Sequence, residues 1–358
     1  LLNDPAYLGV RHARVRGERY DAFIEKFVGE VTERFPQALL HWEDFAAGNA
    51  HRILNRYRDE VCTFNDDIQG TAGVVVAAVL AAIRTSHTRL ADQRIVIHGA
   101  GTAGVGIAHL LLDIMVSQGI DRDQAIRQFW GLSSRGLLIE GGKLRDFQAP
   151  FARPADEVAG WKLDTLGHYE LADVVRNVHP TILIGTSAQP GTFTEEIVRD
   201  MASHTDQPII MPLSNPTTKA EALPSDVLEW TGGRALIATG SPFDPVELND
   251  TRYEIAQANN ALIFPGIGLG VISCRASRVS DTMIGAAAQA VASAVTDRSP
   301  GASLLPAMTQ LRSISARVAV AVAEQARREG LAQRHLDNPI QQVYDAMWQP
   351  VYPEVEVI

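Results

Sequence analysis

The stretch IVIHGAGTAG at Ile95–Gly104 places the motif G-x-G-x-x-G between an apolar strand and the start of a helix. In that context the first glycine permits a tight turn, the second lets the backbone approach a pyrophosphate, and the third lets the helix pack on the strand. The helix N-terminus also favours the negative charge of a phosphate. The letters alone would fit an ordinary glycine-rich turn, but with the flanking elements they predict a dinucleotide site formed by Gly99, Gly101, Thr102, Ala103 and Gly104.

Strand and helix patterns alternate after this turn. The predicted strands lie at 129–132, 181–184, 208–212 and 235–238, and the predicted helices at 123–128, 171–178, 194–201 and 222–230. Such alternation is typical of a parallel, doubly wound sheet, so the predicted fold class is α/β.

The remaining segments have less regular patterns. Upstream of the glycine turn we predict a helix at 20–35, a strand at 38–42 and a buried helix at 70–83, and the turn itself leads into a helix at 103–115. The segment after residue 260 predicts an apolar strand and a glycine-rich turn, followed by helices at 280–295 and 311–329. Gly141–Trp161 is expected to be a surface excursion, and the tail from Leu331 is expected to wrap the surface.

The composition is that of a folded protein large enough for two domains. The chain has 358 residues, 46% of them hydrophobic, and a formal net charge of -10. That charge repels nucleic acids and anionic membranes, so small molecules or proteins are the expected partners. No apolar run reaches the about 18 residues of a membrane span, and we expect a cytoplasmic protein with no nucleic-acid or membrane partner.

Cys62 and Cys274 are the two cysteines. They are too few for a disulfide framework or a cysteine metal cluster and fit a reducing compartment, so both are expected to be buried thiols. The chain begins at Leu1 without methionine and lacks the charged and apolar regions of a signal peptide. We therefore expect its start to lie within a longer protein.

Two pairs of adjacent acids, Glu43-Asp44 and Asp66-Asp67, stand at the ends of apolar segments. Carboxylates at strand ends in an open α/β sheet face the crevice where ligands bind. Their oxygens suit a hard cation, Mg²⁺ or Mn²⁺, with coordination positions left for a substrate. The alternative for each pair is that an acid simply caps the following helix.

The second strand of the nucleotide unit ends at Leu132-Ser133-Ser134-Arg135. An NAD site usually has an acidic residue at this point to bind the ribose hydroxyls, and none is present. Two hydroxyls and an arginine would instead suit a 2′-phosphate, although an arginine here is just as often a solvated surface residue. The pattern leaves the choice between NAD and NADP open.

The chain has few lysines and no paired histidines in sequence. The lysines are Lys26, Lys143, Lys162 and Lys219, and none lies in a cluster of apolar and acidic residues that would mark a catalytic base. A lysine base is therefore not expected on this chain. The ten histidines form no H-x-x-x-H pair, which argues against a zinc hydrolase.

The acid pairs lie in motifs of one enzyme family. Trp42–Phe45 and Cys62–Ala72, with the sequence CTFNDDIQGTA, resemble the metal-site signature of malic enzymes, and the second is very specific. Further matches follow in the family's order at Gly99–Gly104, Pro212–Thr217, Ala238–Phe243 and Asn259–Gly266. The resemblance to malic enzymes thus covers nearly the whole chain.

The resemblance gives roles to individual acids. It implies that Glu43, Asp44 and Asp67 are metal ligands, and that Asp66 is the carboxylate beside a catalytic lysine. Asp66 and Asp67 are accordingly the expected catalytic residues on this chain.

The resemblance also extends to the nucleotide and substrate. Asn215 and Asn260 resemble two asparagines that hold the nicotinamide ribose and the malate carboxylate; without the family they would be interpreted as residues that close turns. Ser133 stands where many relatives have an aspartate, which puts an NAD preference in doubt. The family's catalytic tyrosine, malate-binding arginine and lysine base would precede Leu1.

The implied activity is oxidative decarboxylation of L-malate to pyruvate and CO₂ with reduction of NAD or NADP, dependent on Mg²⁺ or Mn²⁺. Without the three upstream residues, we expect the chain alone to bind metal and nucleotide with little or no activity. A malolactic enzyme, which keeps its nucleotide bound and releases lactate, is one alternative. A non-catalytic nucleotide-binding sensor module is another.

The resemblance also implies the architecture. Residues 1–65 and 260–330 would form a metal- and substrate-binding α/β domain, into which a Rossmann-type nucleotide domain at 66–259 is inserted, with a C-terminal tail at 331–358. Malic enzymes form dimers and tetramers, so a homodimer or homotetramer is expected.

Overall fold

The computed structural model describes residues 2–165 and 167–352, which contain eleven strands and thirteen α-helices. The strands are β1 Leu40–Trp42, β2 Thr63–Asn65, β3 Ile95–His98, β4 Phe129–Ser133, β5 Gly136–Leu137, β6 Ile182–Gly185, β7 Ile209–Pro212, β8 Leu236–Thr239, β9 Val246–Leu248, β10 Thr251–Tyr253 and β11 Ala256–Gln257. The helices are α1 Glu18–Arg34, α2 Ala47–Tyr57, α3 Thr71–Thr85, α4 Thr102–Ser117, α5 Arg122–Ile126, α6 Ala155–Val158, α7 Leu171–Val178, α8 Glu195–His204, α9 Pro224–Thr231, α10 Phe264–Cys274, α11 Asp281–Ala294, α12 Leu311–Arg328 and α13 Pro339–Ala346.

The main sheet has seven strands in the order β11-β8-β7-β6-β3-β4-β5. Its neighbours pair in parallel except for β4 and β5, which form an antiparallel hairpin. The chain continues from β3 to β4 on one side and returns to β6 on the other side of β3. The strand order therefore reverses beside β3, which is where open α/β sheets bind ligands.

Helices cover both faces of this sheet. In β3, Ile95 and Ile97 pack into one hydrophobic cluster with residues of α3, α4, α11 and α12. Val96, between them, packs on the opposite face into a second cluster with residues of α7, α8 and α9. The sheet is buried on both sides, which explains why its strands are continuous apolar runs and confirms the predicted doubly wound α/β class.

A second, two-stranded sheet carries the acid pairs. Strands β1 and β2 are parallel neighbours, with Leu40 opposite Thr63 and Trp42 opposite Asn65. Glu43-Asp44 and Asp66-Asp67 each follow directly, so both pairs leave the sheet at the same edge. The domain boundaries predicted near residues 65 and 260 stay a prediction.

The segment Asp66–Thr85 is long and apolar enough to cross a membrane, but 83% of its most apolar window is buried inside the protein. Its helix α3 packs closely on its neighbours. A Cβ added to Gly73 would lie 2.6 Å from Ile263 Cδ1 and 3.2 Å from Ile284 Cγ2. Composition and packing together identify α3 as a core helix.

The segment after Asn260 corrects one prediction. The apolar run there is not a strand but the helix α10, which begins at Phe264 with Pro265 in its first turn. Two of its glycines, Gly266 and Gly270, face α12, and a Cβ on Gly266 would lie 2.5 Å from Val318 Cβ. Such a run resembles a strand in sequence because a helix that is apolar on every side shows no amphipathic period.

The predicted surface excursion at Gly141–Trp161 is right only in part, because most of its residues are exposed but a few are buried. Phe151 and Val158 are buried, and Ile139 forms a parallel β-bridge with Arg153. The Arg153 guanidinium lies 4.7 Å from the centroid of the Trp130 ring, within range of a cation–π contact. The segment therefore packs beside β4.

The cysteine prediction holds for one residue of two. Cys274 is buried, whereas Cys62 is half-buried. Burial nevertheless raises the pKa of the Cys62 thiol to about 11, so this thiol is un-ionised and unreactive at neutral pH.

Candidate active site

The two acid pairs meet beyond the ends of β1 and β2. Ligand atoms of His41, Glu43 and Asp66 all lie within 4.8 Å of one another. Asp67 Oδ2 accepts a hydrogen bond of 2.8 Å from the Asp44 backbone N–H. Among the described residues, the ligand atoms of Glu43, Asp44 and Asp67 do not all lie within 4.8 Å of one another, unlike those of the first group. Their role as the metal ligands stays a prediction, and His41 is a neighbour that the sequence patterns did not indicate.

Asp66 has the most unusual environment of these acids. It is buried at the start of a π-helical turn, Asp66–Gly70, and its Oδ1 atom has no hydrogen-bond partner in the described structure. Burial raises the pKa of Asp66 to about 6; the Asn260 hydrogen bond opposes this shift and the charges of Glu43 and Asp67 add to it. Asp66 therefore changes its protonation close to neutral pH.

These residues fit a divalent cation. A buried carboxylate oxygen without a partner is costly, and Asp66 Oδ1 lies beside a second carboxylate, that of Glu43, and the His41 imidazole. Positive charge held near this cluster would offset the cost of the unpaired oxygen. Carboxylate oxygens are the ligands that Mg²⁺ and Mn²⁺ prefer.

Asn260 joins the C-terminal part of the chain to this turn. Its Nδ2 donates to Asp66 Oδ2 at 3.0 Å, to the Asp66 carbonyl at 3.2 Å and to Thr71 Oγ1 at 3.1 Å. The preceding Asn259 caps its own turn by accepting a hydrogen bond of 3.0 Å from Ala261 N. The asparagine predicted to bind substrate is thus held against the predicted catalytic carboxylate.

A cavity of about 430 Å³ lies at the carboxyl ends of β3, β4 and β6. Its walls include Gly99, Gly101, Ser133, Thr186 and Gln148. The volume lies within the usual range for small-molecule and cofactor sites, about 300–1,000 Å³. The structure therefore places three of the seven predicted nucleotide residues, Gly99, Gly101 and Ser133, around one cavity at the point where the strand order reverses.

The three glycines of the motif have different surroundings. Gly99 has a φ of +107°, and a Cβ there would lie 2.4 Å from the Thr186 carbonyl carbon. A Cβ on Gly104 would lie 2.5 Å from Gly99 O, whereas a Cβ on Gly101 would meet only that oxygen, at 3.9 Å. Gly101 thus leaves open space beside the cavity, and the first-turn amides of α4 lack helical acceptors. This turn fits a pyrophosphate.

The end of β4 is rich in cations. Ser133 Oγ accepts from Arg135 N at 3.2 Å, and the Arg135 guanidinium donates to the Lys143 carbonyl at 3.0 Å. Arg135, Lys143 and Arg145 all line the cavity. Among the described residues, no carboxylate lines it.

Asn215 follows β7 and is exposed, with its Oδ1 accepting a hydrogen bond from the Ser241 hydroxyl. It does not line the cavity described above, although it leaves the sheet at the same edge. The four lysines of the chain are all exposed. Within residues 2–165 and 167–352, therefore, no buried lysine accompanies Asp66.

Glu221 is a residue that sequence reasoning missed. It is fully buried, and its carboxylate accepts from Ser187 N at 2.8 Å, Ser187 Oγ at 2.9 Å, Ser214 Oγ at 2.6 Å and Ser214 N at 3.3 Å. Ser187 and Ser214 follow β6 and β7, so Glu221 fixes two loops at the binding edge. A glutamate in a loop carries no local signal of this role.

Replacing Glu221 by alanine is expected to lower the free energy of unfolding by about 3 kcal/mol, because buried donors lose their acceptor and a cavity remains. Urea denaturation measures this change. The control is Glu229→Ala, an exposed position, where an effect within about 0.5 kcal/mol is expected. A loss below about 1 kcal/mol for Glu221→Ala would contradict the role of this carboxylate.

The fold and the cavity together indicate the class of protein. The chain contains a Rossmann-type nucleotide domain with a carboxylate cluster beside it. The family described as "Malic enzyme, NAD binding domain" matches residues 68–327, and "Malic enzyme, N-terminal domain" matches residues 1–58. The chain therefore belongs to the malic enzyme family.

Relatives agree with this membership. The chain is 53% identical to NAD-dependent malic enzyme 3 of Bacillus subtilis (strain 168) over 360 residues, covering 100% of this chain and 64% of that protein. It is 48% identical to the NAD-dependent malic enzyme of Sodalis glossinidius (strain morsitans), covering 98% of this chain and 63% of the relative. The chain thus spans slightly less than two thirds of these curated relatives.

Solved structures resemble the fold. The malic enzyme of Entamoeba histolytica aligns with a TM-score of 0.70 at 27% identity, covering 91% of this chain and 61% of that one. The malic enzyme of Pyrococcus horikoshii Ot3 aligns with a TM-score of 0.68 at 26% identity, covering 90% of this chain and 69% of that one.

Proposed function

We propose that the protein catalyses oxidative decarboxylation of L-malate to pyruvate and CO₂ with reduction of a nicotinamide nucleotide. The observation that carries this proposal is the packing of the Asp66–Gly70 turn on the nucleotide helix. A Cβ on Gly106 of α4 would lie 3.8 Å from Ile68 Cγ2 and from the Ile68 carbonyl. The carboxylate cluster and the glycine turn are thus parts of one packed unit.

In the proposed reaction, the C2 hydroxyl of malate loses its proton as C2 transfers hydride to the nicotinamide. The bond between C3 and C4 then breaks to release CO₂, and C3 takes up a proton to give pyruvate. A divalent cation held by Glu43, Asp44 and Asp67 would supply positive charge beside the malate oxygens. Asn260 would orient the malate carboxylate, and Asn215 the nicotinamide ribose. Asp66, with its raised pKa, would hold or pass a proton at Oδ1.

The activity test follows the absorbance of reduced nicotinamide with L-malate and Mn²⁺, on this chain and on the product of the complete gene. For the complete product we expect reduction that requires L-malate and is abolished by EDTA, and for this chain alone we expect little or none. Lactate without released NADH would indicate a malolactic enzyme. Nucleotide binding without any turnover of malate by the complete product would indicate a sensor module, and absence of nucleotide binding would overturn all three alternatives.

We propose NAD⁺ as the preferred nucleotide, with Mg²⁺ or Mn²⁺ as the cation. The matching relatives are named NAD-dependent, but Arg135 and its neighbours would also attract a 2′-phosphate. The assembly is proposed to be a homodimer or homotetramer.

A Ser133→Asp variant is expected to raise the preference for NAD⁺ over NADP⁺ by about tenfold, or about 1.4 kcal/mol. The new carboxylate would accept from the ribose hydroxyls and repel a 2′-phosphate. An Arg135→Ala variant should weaken NADP⁺ binding more than NAD⁺ binding. Calorimetric titration of both nucleotides measures these ratios, and an unchanged ratio in both variants would place the adenosine ribose elsewhere.

A further inference from the structure

Three potential metal ligands meet at the amino ends of the strands of the main sheet, whereas the nucleotide cavity lies at the carboxyl ends. His179 directly follows α7 and precedes β6, whereas Asp200 and His204 lie one turn apart on α8 and precede β7. Because β6 and β7 are parallel neighbours, the helix ends that precede them are adjacent. One ligand atom from each of His179, Asp200 and His204 lies within 4.8 Å of the other two.

These side chains make few hydrogen bonds or ion pairs with other described residues. His179 Nδ1 is buried without a hydrogen-bond partner in the described structure. Asp200 Oδ1 lies 3.6 Å from His204 Nε2, its only ion pair among the described residues. The nearby Arg94 donates from its Nε to the carbonyls of Val178 and His179, at 3.0 and 2.7 Å, and forms no ion pair with Asp200 in the described structure.

The two imidazoles lie side by side. Their rings lie 3.7 Å apart between centroids, with a 36° angle between planes. An uncharged imidazole nitrogen presents a lone pair, which is the form that coordinates metals.

We propose that His179, Asp200 and His204 bind one Zn²⁺ or similar transition-metal ion that joins the C-terminal ends of α7 and α8. Two imidazole nitrogens and one carboxylate oxygen suit Zn²⁺ better than Mg²⁺, which prefers oxygen ligands alone. With Zn–N bonds of about 2.0–2.1 Å, the ring centroids must lie about 5 Å apart. His204 can make that movement because its side chain is 42% exposed.

The site is separate from the proposed chemistry. The glycine turn and Glu221 act at the carboxyl ends of the strands, whereas this cluster lies at their amino ends. A metal here would stabilise the folded nucleotide domain, because ligation joins two helices that flank β6 and β7. The proposal does not depend on the activity of the protein.

The test is calorimetric titration of the metal-free chain with ZnCl₂ in excess Mg²⁺, together with thermal unfolding. His204→Ala, Asp200→Asn and His179→Asn each remove one ligand. Asparagine is chosen at position 179 because φ is 49° there, and asparagine tolerates left-handed backbone. We expect each variant to bind one zinc fewer, or to bind it at least about tenfold more weakly, and zinc to raise the Tm of the unmodified chain but not of the variants.

Two controls separate this site from others. His168→Ala removes a histidine that lies 3.4 Å from Glu170 without a second histidine beside it, and should leave zinc binding unchanged. His41→Ala disrupts the cluster near Asp66 and should retain the zinc bound at His204. Absence of zinc binding to the unmodified chain, or equal stoichiometry and affinity in the three ligand variants, would overturn the proposal.

Discussion

A Gly101→Ala variant is expected to bind NAD⁺ at least about tenfold more weakly while the protein stays folded. Its Cβ would project beside the cavity, where only Gly99 O lies within 4 Å, at 3.9 Å. The φ of -86° at Gly101 is accessible to alanine, so the loss of stability should stay below about 1 kcal/mol, the scale of a helix-cap change. The added methyl group would occupy space that the pyrophosphate needs.

Two neighbouring variants serve as the comparison. Gly104→Ala should lower the free energy of unfolding by about 2–3 kcal/mol, because its Cβ would lie 2.5 Å from Gly99 O and 2.9 Å from Ile97 Cγ2. Gly106→Ala, inside α4 with only ordinary contacts, should raise stability by up to about 1 kcal/mol and leave nucleotide binding intact. Urea denaturation and calorimetric NAD⁺ titration provide both readouts. Unchanged affinity in Gly101→Ala would place the pyrophosphate away from this turn.

An Asp66→Asn variant is expected to stabilise the metal-free protein above pH 6 and to abolish malate oxidation. Because the pKa of Asp66 is raised to about 6 in the folded protein, the folded state favours the protonated carboxyl. Wild-type stability is therefore lost as pH rises from about 4 through 6. Neutral asparagine avoids this loss, giving a gain of about 2–3 kcal/mol at pH 8 and little at pH 4.

Unfolding in EDTA across this pH range measures the stability effect. Asp337→Asn is the matched control, since the Asp337 side chain is 89% exposed and should show no such pH dependence. In the presence of Mn²⁺, turnover by the complete gene product carrying Asp66→Asn should fall by at least about 10²-fold, because the proposed proton transfer loses its carboxylate. A pH-independent stability difference would refute the raised pKa, and retained turnover would refute the catalytic role.

The nucleotide unit was largely predictable from local patterns. Predicted strands at 129–132, 181–184, 208–212 and 235–238 correspond to β4, β6, β7 and β8 within one residue at each end. Each strand is buried on both faces and must therefore be apolar along its length. A continuous apolar run can be recognised within one short stretch of sequence. The glycine turn is equally local, because Gly99 adopts a left-handed φ of +107° that other residues rarely adopt.

Contacts between distant segments were not predictable. His41 joins Glu43 and Asp66 because β1 pairs with β2 in a register that sets Leu40 opposite Thr63. Glu221 reaches Ser187 across 34 residues of chain. Neither contact produces a periodic pattern in the sequence. Each contact forms only when separate strands and loops pack together.

The sequence by itself determined the α/β class, the glycine turn, and the motifs that mark a malic enzyme. Those features depend on backbone conformation and burial, which act on neighbouring residues. Only the tertiary structure decided that the apolar run Phe264–Cys274 is a helix, that the Asp66 carboxylate is buried and unpaired at Oδ1, and that His179 meets His204. The physical reason is that desolvation and side-chain pairing depend on which distant segments surround a group, and folding alone brings those segments together.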